Sequence, residues 1–310
     1  MSHTRMIDPP NNPTFQGLFA LVTVYFGALG FAAITSPWVY NAIQSWHASA
    51  PNVLTEEIAD NDLEDYFDRQ RWLWVLICLP WLVRSLRFSS WREAGFAWAG
   101  SEWKRLLSYF GLGLALLAAL GVLRVSTASA VWEAEWGAVP SILMKSLIGA
   151  VILAILEESV FRTLIWRAFS LWRPVIGGLV LSSIFFAYTH YKMPKNVELE
   201  LVGAATVADG FFIAGWTLVG VVRDATLLDF LNLSLLGVWL TMLRLRSGSL
   251  APCIGLHAGI VFGLLVLVRF VDFESAPHAW LLGNSGMRDG IFATAIFLAG
   301  ILLCSRNSTN

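Results

Sequence analysis

The stretch Ala150-Val151-Ile152-Leu153-Ala154-Ile155-Leu156-Glu157-Glu158-Ser159-Val160-Phe161-Arg162 decides how this chain must be read. An apolar run leads into two adjacent carboxylates and an arginine, within a segment long enough to cross a bilayer. A charge at bilayer depth costs at least about 2.5–3.5 kcal/mol on insertion scales. Ionisable groups held at that depth therefore point to a functional site.

The surroundings agree with a membrane setting. The chain has 310 residues, 56% hydrophobic and only 14% charged, with a mean hydropathy of +0.63. Soluble domains carry about 25% charged residues. Apolar runs of membrane-spanning length recur at roughly 15–35, 72–86, 104–124, 146–171, 175–193, 206–222, 226–243, 250–268 and 290–304. The expected fold is an all-α, polytopic transmembrane bundle of about eight or nine spans. Several of the 15 tryptophans lie near predicted helix ends, among them Trp38, Trp46, Trp72, Trp103, Trp172 and Trp280. Indoles favour that interface.

Composition also excludes classes. The net charge is −1, and there is no basic patch with interleaved aromatics, so nucleic acid is not an expected partner. Cys78, Cys253 and Cys304 all lie in apolar runs without CxxC or CxxH spacing and read as small hydrophobes. The polar start MSHTRMIDPPNNP lacks a charged n-region and a cleavage site, so the first apolar run reads as a retained span.

Three regions follow. Residues 1–90 hold the N-terminal spans and an acidic extramembrane segment, 36–71, with Glu56, Glu57, Asp60, Asp62, Glu64, Asp65 and Asp68 opposite an apolar Leu63, Tyr66 and Phe67 side. Residues 91–270 form the core, and 271–310 a C-terminal span. Span counting puts Arg84, Arg87, Arg92, Lys104, Arg105, Arg167, Arg173 and Arg5 on one face, the cytoplasmic one by the positive-inside rule. It puts the acidic segment, Lys192, Lys195, Arg244 and Arg246 on the other.

The turn Trp172-Arg173-Pro174 makes a helical hairpin of its flanking spans, because proline cannot continue a helix without losing a hydrogen bond. Glu157 precedes Arg173 by about 16 residues and His190 follows Pro174 by about 16, so both lie at one depth, about 24 Å from the turn. Span counting starts the next histidine-bearing span, at Leu250, on the face opposite the turn, which brings His257 to a similar depth, about 20 Å from the turn side. Glu158 and Arg162, four residues apart, share a helix face and can pair. Glu157 points about 100° away, free to face a cavity. A glutamate with two imidazoles opposite can activate water as a general base. The same three groups, Glu157, His190 and His257, could instead hold a zinc ion. Ionisable groups at this depth also suit a proton pathway, but no paired broken helices or internal halves support a transporter.

These residues resemble the CPBP family (CAAX-protease and bacteriocin-processing, also Abi) of intramembrane proteases, which includes the Ras-converting CAAX endopeptidases. The family's EExxxR motif is similar to Glu157–Arg162, its FxxxH motif to Phe186–His190, and its GSL-led histidine motif to Gly248-Ser249-Leu250 through His257. The resemblance covers about residues 90–270. It implies an intramembrane endopeptidase in which Glu157 with His190 activates water, Glu158 and Arg162 support that glutamate, and His257 stabilises the oxyanion. It implies a membrane-anchored protein or peptide substrate, cut near its C-terminal or membrane-proximal end, and a multi-pass location in a bacterial inner (cytoplasmic) membrane. Both a metallo and a metal-free glutamate mechanism are compatible with it. One position departs: four residues after His257, where the family pattern has Asn or Asp, stands Val261. Loss of one oxyanion-hole donor costs about 10²–10³ in rate. The alternative is therefore a weak or inactive member acting as an immunity or partner-binding membrane protein.

Overall fold

The computed structural model describes residues 14–96, 99–127, 131–132, 139–174, 176–191, 197, 199–201, 203–272, 278–283 and 287–306. It is an all-α bundle. In chain order the helices are α1 (Thr14–Ser49), α2 (Val53–Ala59), α3 (Leu63–Ser85), α4 (Gly100–Ser126), α5 (Val139–Ser159), α6 (Trp166–Trp172), α7 (Ser182–Thr189), α8 (Val207–Asp224), α9 (Leu227–Ser247), α10 (Ala251–Phe270), α11 (Ala279–Leu282) and α12 (Ile291–Arg306). Two π-helical segments are built in: Val160–Ile165 joins α5 to α6, and Ile176–Leu181 leads into α7. The β structure among the described residues is one two-residue antiparallel pair, Val131–Trp132 with Val271–Asp272.

Among the described residues, helices lie at each of the nine expected spans. Five helical stretches are long and apolar enough to cross a membrane: Phe15–Ser49, Gly100–Ser126, Val139–Trp172, Leu227–Ser247 and Ala251–Phe270. Ile176–Thr189 and Ile291–Arg306 are shorter apolar helices. The acidic segment is split between two helices: Glu56 and Glu57 lie on the short α2, and the acidic residues from Asp62 on open α3. Asn52 caps α2 in a capping box with Thr55, and α3 starts at Leu63 and runs unbroken into the second expected span. Leu63, Tyr66 and Phe67 are buried, as their shared face requires.

One part of the expected topology is corrected. Span counting put Arg244, Arg246 and the start of α10 opposite the Arg173 turn. Instead the amide of Leu250 donates to Gly95 O at 3.0 Å, and Arg244 donates to Glu93 O at 2.7 Å. The loop that accepts both is also tied to the turn end: Thr163 donates its hydroxyl to Ala94 O at 2.8 Å, and Arg167 pairs with Glu93 at 2.9 Å.

The reason is α8. Gly210 lies against Ala33 far along α1, and Gly220 lies against Tyr191 O at the end of α7. The Tyr191 ring also lies 6.4 Å from that of Phe230, at the start of α9. Helix α8 thus starts beyond α7, alongside the far part of α1, and comes back to the level where α7 ends, without recrossing to the turn end. The count of crossings changes by one, and α10 runs parallel to α4, not antiparallel. Arg5, Lys192 and Lys195, which entered the charge count, lie outside the described residues.

Candidate active site

Three elements bring the site together. The α5–α6 rod carries Glu157, Glu158 and Arg162, α7 ends at His190, and α10 carries His257. Glu157 lies six residues before Thr163, which is fastened to the Ala94 carbonyl. His257 lies seven residues after Leu250, which is fastened to Gly95. Both offsets amount to about 10 Å of helix rise. The convergence expected from sequence therefore holds, but His257 reaches the site from the turn end. The α5–α6 rod runs on past the start of α10 by about 14 Å.

The site divides into a closed half and an open half. Glu158 and Arg162 have fully buried side chains, and His257 retains 6% exposure, whereas Glu157 retains 23% and His190 26%. In the closed half, His257 Nδ1 donates to Glu158 Oε1 at 2.8 Å. Arg162 Nε stands 3.0 Å from Glu158 Oε2. That approach is close but misaligned, since none of the guanidinium nitrogens makes a hydrogen bond among the described residues. The attraction is therefore mainly between charges. The Phe186 ring adds to it, with the guanidinium carbon 4.5 Å from its centroid. Glu158 thus orients His257 as well as meeting Arg162, a link the i, i+4 argument did not reach.

In the open half, Glu157 Oε2 stands 3.9 Å from His190 Nε2 and 3.8 Å from His257 Nε2. The oxygen is buried and has no hydrogen-bond partner. His190 Nδ1 lies 2.8 Å from the Phe186 carbonyl. A carbonyl only accepts, so the Nδ1 proton sits there and Nε2 presents a lone pair to the open half. The same reasoning places a proton on His257 Nδ1, facing the ionised Glu158. His257 Nε2 can then donate only when the ring carries both protons.

The spacing bears on a metal. Tetrahedral ligands about 2.0–2.2 Å from zinc lie roughly 3.3–3.6 Å apart. The two gaps here are wider, and among the described residues no group of three or more His, Cys, Asp or Glu side chains is arranged to hold a metal ion. As they stand, Glu157, His190 and His257 do not fit a closed zinc site. The gaps do admit a water within hydrogen-bonding distance of the carboxylate and an imidazole.

Other candidates fall into place. Asp209 closes a capping box with Thr206 at the start of α8. Asn232 bridges helices, donating to Gly290 O at 3.2 Å and accepting from Thr294 at 2.7 Å. Ser234 bonds within its own helix, to Phe230 O. Cys253 and Cys304 are buried and Cys78 is half-buried, all three as free thiols. His47 contacts the Thr55 hydroxyl, and His278 is exposed; His3 lies outside the described residues. Sequence reasoning missed the Thr163 hydroxyl and the loop at 89–96 that anchors it. It also missed Arg288, set over the Tyr191 ring beside His190. The glycine-rich run Gly283–Gly290 was the available signal for the last of these.

The model of the family described as type II CAAX prenyl endopeptidase Rce1-like matches residues 139–263. That range contains all five site residues and Val261. No curated protein and no solved structure matches the chain. Residues 139–263 are thus similar to the CAAX-protease (CPBP) family, a family of membrane proteases.

Proposed function

We propose that the protein is an intramembrane endopeptidase that cuts a membrane-anchored protein or peptide near its C-terminal or membrane-proximal end, with Glu157 as general base. The observation that carries this reading is the unpartnered Glu157 Oε2 facing two imidazole Nε2 atoms at 3.8 and 3.9 Å. A water in that gap donates one hydrogen to Glu157 and the other to the His190 lone pair. Glu157 takes the proton as the water oxygen bonds to the scissile carbonyl carbon. The carbonyl oxygen becomes an oxyanion, which doubly protonated His257 meets with Nε2–H. Glu158 balances that imidazolium, and Arg162 balances Glu158 in turn. The C–N bond then breaks, and the proton on Glu157 passes to the leaving amine. No step needs a metal.

Val261 favours a second reading. It leaves His257 without the neighbouring amide donor of the family pattern, so a scaffold or immunity protein with a relict site is the alternative. Termini of membrane proteins and lipoproteins, compared by mass spectrometry between wild type, Glu157→Ala and a deletion strain, separate the two. A terminus present in wild type and absent from both variants identifies the substrate and the activity. A Glu157→Ala strain that matches wild type while the deletion has a phenotype selects the scaffold. With purified protein, Glu157→Gln is expected to lower turnover about 10²–10⁴-fold, the usual worth of a general base. A chelator should leave turnover unchanged; loss reversed by Zn²⁺ would replace the metal-free mechanism with a metallo one.

A further inference from the structure

Arg288 lies outside the family match but beside the site. Its guanidinium carbon stands 4.7 Å from the centroid of the Tyr191 ring, and Tyr191 directly follows His190. The charge is near enough to act on the His190 imidazole as well. Arg288 forms no ion pair with a carboxylate among the described residues, and its Nε is buried without a hydrogen-bond partner. The Tyr191 hydroxyl next to it is likewise buried, and Arg288 is the side chain within hydrogen-bonding influence of it. Asp229 and Asp289 are close enough to act on Tyr191. Asp229 sits in the first turn of α9, and one of its carboxylate oxygens is buried without a hydrogen-bond partner.

The backbone holds this arginine firmly in place. Gly283 and Gly290 have φ of 78° and 91°, a conformation that costs other residues energy. A Cβ on Gly290 would stand 2.5 Å from Gly283 N, and one on Gly283 would collide with Asp289 O. The two ends of the loop are pinched together. Asn232 holds Gly290 O, and Met287 is buried at 5% exposure. Arg288 thus sets a planar cation next to one end of the open half, with the Asp224, Asp229 and Asp289 carboxylates in the same neighbourhood.

A guanidinium matches a carboxylate in a two-pronged geometry that a histidine or an amide cannot offer. We propose that Arg288, with the Tyr191 hydroxyl, receives the free C-terminal carboxylate of the substrate peptide, so that the site selects chain ends over internal segments. This rests on the endopeptidase reading. The oxyanion is the other anion of the reaction, but His257 already faces the Glu157 gap, while Arg288 stands beyond His190.

The test uses full-length Glu157→Gln protein in detergent and a dansylated, prenylated CAAX peptide made with a free C-terminus and as the amide. The acid is expected to bind at least about tenfold more tightly than the amide, as a charge-assisted pair should. Arg288→Met should bring the acid to the amide's Kd and leave the amide unchanged, and Arg288→Lys should keep part of the preference. Equal binding of acid and amide by the Glu157→Gln protein overturns the proposal. So does an Arg288→Met loss shared by both peptides, or saturable binding of neither. Hydrolysis by wild-type protein is scored separately. An acid preference that depends on Arg288, without cleavage of either peptide, keeps the carboxylate site and removes the protease reading. Equal cleavage of both does the reverse.

Discussion

The α4–α10 pair and the α1–α8 pair are both helix contacts closed by glycine, yet they are built differently. Along α4–α10, glycines recur on both partners: Gly113 would place a Cβ 2.5 Å from Leu256 O, and Gly255 and Gly259 would collide with Leu106 O and Phe110 O. The backbones touch over several turns, as small residues permit in membrane helices. The α1 side is held at points. Gly210 meets Ala33, Asn41 exchanges two hydrogen bonds with Ala205 (2.7 and 2.9 Å), and Tyr25 and Tyr188 share one at 3.1 Å. Backbone contact leaves little freedom to shift, while point contacts can be made and broken. His257 sits between Leu256 and Ala258 on the rigid pair. The difference places precision where a carboxylate and an imidazole must face each other, and adaptability in the layer against the opposite side of α7.

The sharpest way to break this contrast is Gly259→Val. The added side chain has no flexible neighbour to displace, only the Phe110 and Leu114 backbone. Overpacking of this kind costs about 2–3 kcal/mol. It should also separate α10 from α4 and so displace His257, with turnover lost even at temperatures where the protein stays folded. Thermal unfolding in detergent with a parallel activity assay checks both. Unchanged activity at a lowered Tm would mean that the glycine contact holds the bundle without aligning the site.

Asn41→Ala probes the other side and should do less. It removes a paired hydrogen bond to the chain just before α8, worth about 1–2 kcal/mol when the peptide groups left behind can partly reach water. Exchange of amide hydrogens around Ala205 should rise while the 248–260 region stays protected. Turnover should change by less than a factor of about three. A fall as large as that of Gly259→Val would erase the distinction between the two layers.

The sequence made much of this architecture legible, because its strongest signals are local. The nine apolar runs all fall on helices, and Glu157 and His190 met because a hairpin fixes equal depth by counting residues from a turn. What was not legible depended on one helix's neighbours. Helix α8 is as apolar as a span, but its glycines fit α1 and the end of α7, which hydropathy cannot express. That single misreading reversed the direction of α10. His257 still converged because the α5–α6 rod runs past the start of α10, an offset no periodicity reveals. The π-helical turn at Val160–Ile165 was equally hidden. It carries no Gly or Pro to mark it, and the Thr163 hydroxyl finds its acceptor, Ala94, far away in sequence.

The smallest expected effect concerns the loop that joins the rigid layer to the α6 end. Glu93 accepts from the Ser89 amide and hydroxyl, both at 2.7 Å, and pairs with Arg167 at 2.9 Å. Partial burial would raise its carboxyl, but those hydrogen bonds and the Arg167 charge outweigh burial and hold it below the ordinary carboxylate value. A carboxyl depressed in the folded state stabilises most above its unfolded pKa, about 4.3. The contribution falls away as the pH drops through the lower folded value. Wild-type Tm should therefore decline between about pH 5 and pH 3 more steeply than that of Glu93→Gln, and the two should draw together at the acid end. At pH 7 the separation should be at most about 1 kcal/mol, since the pair is a third open to solvent and screened. If the two proteins show parallel profiles at every pH, the carboxylate does not fasten the loop. The link between the α6 end and the first turn of α10 would then rest on Thr163, Arg244 and the Leu250 amide alone.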